Sequence, residues 1–446
     1  MSGRQRPNAE PRVPLGSYLS AHGDDSYRVI HYDLALDYRP RTAQLSGLAT
    51  ISAMAERALT EVRLDFGRLG VKQVQVDGAP ARHVHREGKL RVRPAQPVAA
   101  GHPFIVTLHY AGTPRPVKSY WGAIGWEELT DGAFVASQPI GAPSWFPCND
   151  RPADKATYRI AVTAPSRYTV VANGCLVSRQ TDGGSTRWVY DQRTPMSTYL
   201  ATVHIGRYIP LDLAMDPIPQ RAAVPRRLLG RFAHDFGRQP AMLSTFWRLF
   251  GRYPFPDYQV VVIDEELEVP LEAHGLSIFG ANHVDGHRGH ERLVAHELAH
   301  QWFGNSLTVA GWRHIWLHEG FAKYAEWLWS EESRGEPAAV HAAKSWRRVA
   351  ALPQDLRVAD PGVRRMFDDR VYERGALTLH ALRLALGDTA FFALLREWTH
   401  TYRDRTVTTE AFETMAHRYA TRPLDRLFAA WLHDHPLPTL PTEART

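Results

Sequence analysis

Long apolar runs and cysteines are what this chain has least of. No stretch approaches the ~18 to 20 continuous apolar residues that a membrane span requires, so none is expected. The two cysteines, Cys148 and Cys175, can pair only once, which rules out a small secreted scaffold built on disulfides. The opening "MSGRQRPNAEPRVPLGSYLS" is polar and rich in proline, without the apolar centre of a signal peptide. Cytoplasm is the compartment these absences imply. Charge of one sign is also scarce: the formal net charge is +6 over 446 residues, with Lys and Arg scattered and no basic block. That balance reads as solvated surface, and neither nucleic acid nor membrane is an expected partner.

What is present is an ordinary globular composition, 44% hydrophobic and 22% charged, too apolar for wholesale disorder. The length suits two or three domains. Through about residue 207 the rhythm is short alternating runs, "HYDLALDY", "PFIVTLHY", "KATYRIAVTAP" and "TYLATVHIG", between polar, Gly and Pro turns. Such alternation predicts a β-rich domain. The proline-bearing "RYIPLDLAMDPIPQRAAVPRR" reads as a connection between units. Beyond it come helical patterns, "MLSTFWRLFG", "HERLVAHELAHQWFG", "EGFAKYAEWLWSEE" and "GALTLHALRLALG", with one strand, "YQVVVI", among them. The expected division is 1–207 and 208–446, with "HPLPTLPTEART" as a tail.

The stretch "VAHELAHQWFGN" sets His296 and His300 four apart with Glu297 between them. On a helix both imidazoles project from one side, close enough to share a metal, and the glutamate sits beside them where it can take a proton from water. An amphipathic helix that happens to be rich in histidine would read the same way. A catalytic zinc needs a third protein ligand and an open position. Glu319 in "WLHEGFAKYAEW", nineteen positions after His300, is the candidate if two antiparallel helices are joined by "GNSLTVAGWRHIW". Gly304 would then stop the first helix. A lone glutamate near a helix start is otherwise a capping or surface residue.

The two phrases together, "HELAHQWFGN" and "WLHEGFAKYAEW", resemble the signature of the M1 family of zinc metallopeptidases, the gluzincin aminopeptidases: H-E-x-x-H, eighteen residues, then E. Carried over position by position, the resemblance makes His296, His300 and Glu319 ligands of one Zn2+ per chain and Glu297 the general base. Tyr372 in "VYERGALTLHAL" matches the family's Y-E-K-G-A tyrosine, a donor to the developing oxyanion. In "VPLEAHGLSIFG" Glu272 matches the glutamate of the G-A-M-E-N phrase, while Val269, Pro270, Leu271 and Ala273 replace its Gly, Ala, Met and Asn. The resemblance implies that Glu272 binds the substrate's amine and that the backbone of this segment, Ala273 included, lies along the peptide. Gln138, ten residues before Cys148 in the "SWFPCNDRPADKATYRIAVTAP" region, matches a second amine-binding position. Glu326, seven after Glu319, matches a glutamate that hydrogen-bonds a ligand histidine. His314 and His318 stand where the family often has Asp and Asn, and each could titrate near neutrality or take surplus metal.

The resemblance implies a saddle-like, twisted β domain followed by a mainly α, thermolysin-like α+β catalytic domain. It also implies an active site in the cleft between them and hydrolysis of peptides with a free N-terminus. Only 127 residues follow Glu319, so a short form without the family's C-terminal helical repeat domain is expected, with a more open site. Monomer is the default. An epoxide hydrolase of the same family and a non-catalytic zinc protein remain as alternatives.

Overall fold

The structure, a computed structural model, describes residues 18–441. The leader reading of the opening residues through position 17, and the last five residues of the tail, lie outside the described residues.

Strands dominate up to Gly206. An eight-stranded sheet is centred on Tyr27–Arg39, which pairs antiparallel with Gln44–Ala55 and parallel with Ala156–Pro165. Its alternation explains why it forms a one-faced strand. Tyr27 and Val29 point inward at odd positions, a register shift falls between Val29 and His31, and Tyr32, Leu34, Leu36 and Tyr38 then point inward at even ones. The shift is a bulge that keeps every large side chain on the buried face. A five-stranded sheet from Val117–Ser119 to Val203–Gly206 and a three-stranded one around Lys89–Arg93 share the same core.

From Tyr208 the strands belong to a different five-stranded sheet. Gln220–Pro225, Tyr258–Val262 and Leu276–Phe279 run parallel, with Tyr208–Ala214 and Leu271–Ala273 as antiparallel edges. Val260, Val261 and Val262 are fully buried, as expected of a parallel strand covered on both faces. The proline-bearing segment expected to be a connection is therefore a hairpin of this sheet. Its prolines sit where a ladder tolerates them: Pro217 and Pro219 between the strands, Pro210 on the edge strand, Pro225 at a strand end.

The helical half packs around Glu291–Ala299, Trp316–Glu332 and Asp369–Leu386. No helix among the described residues is long and apolar enough to cross a membrane. A small shared core of Phe134, Val171, Tyr208, Val261 and Ile278 fastens the two halves together. Lys155, from the first half, donates to the carbonyls of Asn305 (3.1 Å) and Ser306 (2.6 Å) just beyond the histidine helix. The tail is not loose through Pro438. Buried Arg374 donates to the carbonyls of Ala430, Trp431, Asp434, His435 and Pro436, and Trp346 Nε1 to that of Pro438.

Candidate metal and amine site

The histidine helix, Glu291–Ala299, buries Val294, Ala295, Leu298 and Ala299, and this apolar stripe holds His296, Glu297 and His300 away from solvent. It ends earlier than Gly304. His300 is already the C-cap, and the chain turns tightly through Trp302 and Phe303, whose amides both donate to Ala299. The reason lies in Gln301 and Asn305, whose side chains bond to the edge strand Leu271–Ala273 and the turn that follows it. Gln301 Oε1 accepts from Gly275 N (2.9 Å), and Asn305 Nδ2 donates to Ala273 O (2.8 Å). Gly304 is still required: its φ is +136°, and a Cβ there would come within 3.2 Å of His300 Nδ1.

The second helix, Trp316–Glu332, carries Glu319 in its first turn. It crosses Asp369–Leu386 at Gly320 and Gly375, where a Cβ on either glycine would fall under 3.0 Å from the other helix's backbone. That contact places Tyr372, one turn before Gly375, beside the histidines. Its ring lies nearly parallel to that of His296 at 6.2 Å between centroids.

The donor atoms converge. His296 Nε2 and His300 Nε2 lie 3.5 and 3.4 Å from Glu319 Oε2, and the three ligand atoms all fall within 4.8 Å of one another. Nitrogen and oxygen ligands about 2.05 Å from a tetrahedral zinc are about 3.3 Å apart, so these residues fit the ion. Orientation supports the same conclusion. His296 Nδ1 is bonded to Glu326 Oε1 (2.9 Å) and His300 Nδ1 to the carbonyl of Phe303 (3.0 Å), so each ring presents Nε2 inward.

Electrostatics prepare the set for a cation. Burial opposes protonation of both imidazoles, yet hydrogen bonds to Glu319 and Glu326 hold His296 at about 9, and the charges of Glu272 and Glu319 hold His300 at about 10. Burial likewise opposes ionisation of Glu319, but His300 and His296 keep its carboxyl well below the usual range. A divalent ion taking these atoms displaces the imidazole protons, so its affinity weakens as pH falls. Burial lifts Glu297 to about 8, against the pull of His296 and His300. Tyr372 is raised by burial and by the carboxylates of Glu319, Glu272 and Glu297, and stays a phenol.

Glu272 lies on the edge strand Leu271–Ala273 and is buried. Its carboxylate shares a cluster with Glu297 and His300, each offering an atom within 4.8 Å of the others. Gln138, from the other half, donates Nε2 to Glu272 Oε1 at 2.6 Å, which leaves the amide carbonyl as an acceptor. The segment that departs from the family pattern thus still presents a carboxylate, with the Gln138 amide bonded to it from the other half. Ala273 contributes backbone: its carbonyl is held by Asn305 and Gln301.

His314 and His318 do not titrate near neutrality. Burial drives them down to about 4 and about 3. His314 Nδ1 accepts from Thr409 N (3.2 Å), and His318 Nε2 accepts from Val309 N (3.0 Å). Both brace the loop between the ligand helices, and neither belongs to a metal-competent cluster among the described residues. The sequence reading passed over Gln301, Asn305 and Lys155. "QWFGN", just after the histidines, carries Gln301 and Asn305, and "DRPADKA" carries Lys155; both phrases entered there only as resemblance.

Comparison with known proteins agrees with this geometry. The model of the Peptidase M1 N-terminal domain matches residues 29–200, and that of the Peptidase family M1 domain matches residues 238–431. A crystal structure of the M1 zinc metallopeptidase from Deinococcus radiodurans, a mutant bound to a Tyr-Ser-Ala substrate, superposes with a TM-score of 0.87. It is 31% identical, with 95% of this chain and 98% of that one covered. Human endoplasmic reticulum aminopeptidase 1 is 26% identical over 427 residues, 87% of this chain and 45% of its own length. Leucine aminopeptidase 2 of Saccharomyces cerevisiae is 25% identical over 478 residues, 98% of this chain and 68% of its own. The chain spans about half the length of the human relative. With both family models matched in order over most of its length, and the donor set assembled within the second of them, the chain belongs to peptidase family M1.

Proposed function

We propose that the protein is a zinc-dependent aminopeptidase that removes N-terminal residues from peptides. The observation that carries this reading is the adjacency of two constellations: the Nε2, Nε2, Oε2 cradle of His296, His300 and Glu319, and the Glu272–Gln138 pair at its His300 end. The first suits hydrolysis of a carbonyl and the second suits an ammonium. The Tyr-Ser-Ala substrate in the Deinococcus relative is a peptide of the kind proposed.

Zinc in this cradle supplies Lewis acidity toward the scissile carbonyl and the attacking water. Glu272 and the Gln138 carbonyl hold the substrate's amine, which fixes the first peptide bond over the cradle. Glu297 takes the proton of the attacking water and delivers it to the departing nitrogen, a role suited to a carboxyl whose burial raises its proton affinity. Tyr372 donates its phenolic proton to the oxygen on which negative charge develops. Glu326 keeps the His296 ring turned toward the centre. The reading takes 1–207 and 208–446 as its two domains, supported by the change of sheet between Gly206 and Tyr208. It takes cytoplasm as the compartment, where the unpaired Cys148 and Cys175 stay reduced.

The test is a substrate panel of aminoacyl chromogenic compounds with free or acetylated amines, together with a lipid epoxide. Free-amine compounds are expected to be preferred by about ten- to a hundredfold in kcat/KM, the contribution of a charged hydrogen-bonded group. Preference for acetylated compounds would make the protein an endopeptidase. Turnover of the epoxide alone would end the peptidase reading.

A further inference from the structure

A cavity of about 700 Å³ opens beside the metal cradle. Six cationic side chains line it, Arg238, Arg288, Arg292, Lys323, Arg334 and Arg348. Three carboxylates oppose them, Glu291, Glu326 and Glu373. The only other titratable lining group is His341, which burial keeps below its ordinary value and so uncharged near neutrality. The lining therefore carries three positive charges in excess. The carboxylates are already committed: Glu291 to Arg238 (3.1 Å), Glu326 to Lys323 (3.1 Å), Glu373 to Arg348 (2.9 Å). Arg292 reaches only Glu326, at 3.5 Å without a hydrogen bond, and its side chain is 60% exposed. Arg348 bonds Glu373 through Nη2 alone, so it and Arg292 both keep guanidinium donors at the cavity wall that suit a carboxylate.

The position of this cavity along the histidine helix gives it a role. Arg292, His296 and His300 are spaced four apart and form one stripe. Glu272, the amine anchor, is at the His300 end of the stripe, and the cavity is at the Arg292 end. The stripe from His300 to Arg292 rises roughly 12 Å, the span of three to four extended residues. Lys323 and Glu373, the latter adjacent to Tyr372, form the wall on the same side. The cavity meets the cradle through Glu326, which bonds His296 Nδ1, so a peptide anchored at Glu272 with its first bond over the cradle would reach it by continuing along this stripe toward Arg292.

Resting on the aminopeptidase reading, we propose that the cavity recognises a carboxylate carried by the released part of the peptide, about three to four residues from its amine, with Arg292 and Arg348 as the recognising groups. The carboxylate has two sources, the C-terminus of a tri- or tetrapeptide and an acidic side chain at the third or fourth position of a longer one.

The test compares kcat/KM within matched pairs: a tripeptide as free acid and as amide, and a hexapeptide amide with Glu or Gln at position three. The wild-type protein is expected to favour the charged member of at least one pair by about tenfold, mainly through KM. The pair that shows the preference identifies the source. In the R292Q/R348Q variant the ratio is expected to fall toward one, and because it is internal to each protein a general loss of activity cancels. Ratios of one in the wild-type protein on both pairs, with aminoacyl chromogenic compounds still cleaved, would overturn this inference and leave the aminopeptidase. A ratio undiminished in the double variant would overturn the assignment to this cavity. If no free-amine compound is cleaved, the aminopeptidase reading and this inference fall together.

Discussion

Replacing Glu297 by Gln lowers hydrolysis of free-amine substrates by about a hundred- to ten-thousandfold while leaving zinc near one per chain. The substitution keeps the shape of the side chain and removes its ability to accept a proton. The ligand atoms are untouched, because the cradle is closed by Glu319 Oε2 and by rings whose Nδ1 atoms are already bonded to Glu326 and Phe303. Folding is expected to survive. Burial already disfavours the Glu297 charge, so a neutral amide relieves that penalty and the thermal midpoint of the metal-free variant should equal or exceed that of the parent. Metal analysis and steady-state kinetics on one preparation check both halves. Hydrolysis close to the parental rate would remove Glu297 from the proton-transfer role.

Replacing Glu319 by Ala has the opposite signature: zinc content falls well below one per chain after dialysis, and activity falls to background with it. Two neutral imidazoles without an anionic oxygen bind zinc weakly, and the fourth position cannot compensate. The metal-free protein is also expected to lose about 1 to 3 kcal/mol, the cost of leaving buried hydrogen-bonding groups without their partner. Both buried imidazoles contact this one carboxylate. A second set of potential ligands, Glu272, Glu297 and His300, shares His300 with the first, which makes the experiment discriminating. Retention of one zinc per chain in the Glu319→Ala variant would mean that this other set holds the ion. Read together, the Glu297 and Glu319 variants separate proton transfer from metal binding.

The sequence made the ligands legible because their chemistry is local in sequence. His296 and His300 are one turn apart, and Glu319 follows on the next helix. Alternation also foretold the β-rich half, since one buried face leaves its imprint at every second residue. Other features were hidden because they depend on tertiary contact. The prolines of 208–225 looked like a connection, but an edge strand and a hairpin turn accommodate proline as readily as a linker does. "EGFA" and "ERGA" served as resemblance, whereas the physical content is the approach of Gly320 to Gly375, which sets Tyr372 beside His296. His314 and His318 looked like pH-sensitive or metal-binding groups because sequence does not show that backbone amides already occupy their rings. The pairing of Gln138 with Glu272 crosses 134 positions, beyond the reach of any local pattern.

The central claim is that one zinc, held by His296, His300 and Glu319, supports hydrolysis at a free amino terminus. The most direct measurement strips the protein with a chelator and follows cleavage of an aminoacyl chromogenic substrate as zinc is returned in substoichiometric steps. The predicted result is no activity in the stripped protein, a linear rise, and a plateau at one equivalent per chain. Full activity in the stripped protein, or a rise that continues to two equivalents, would contradict it.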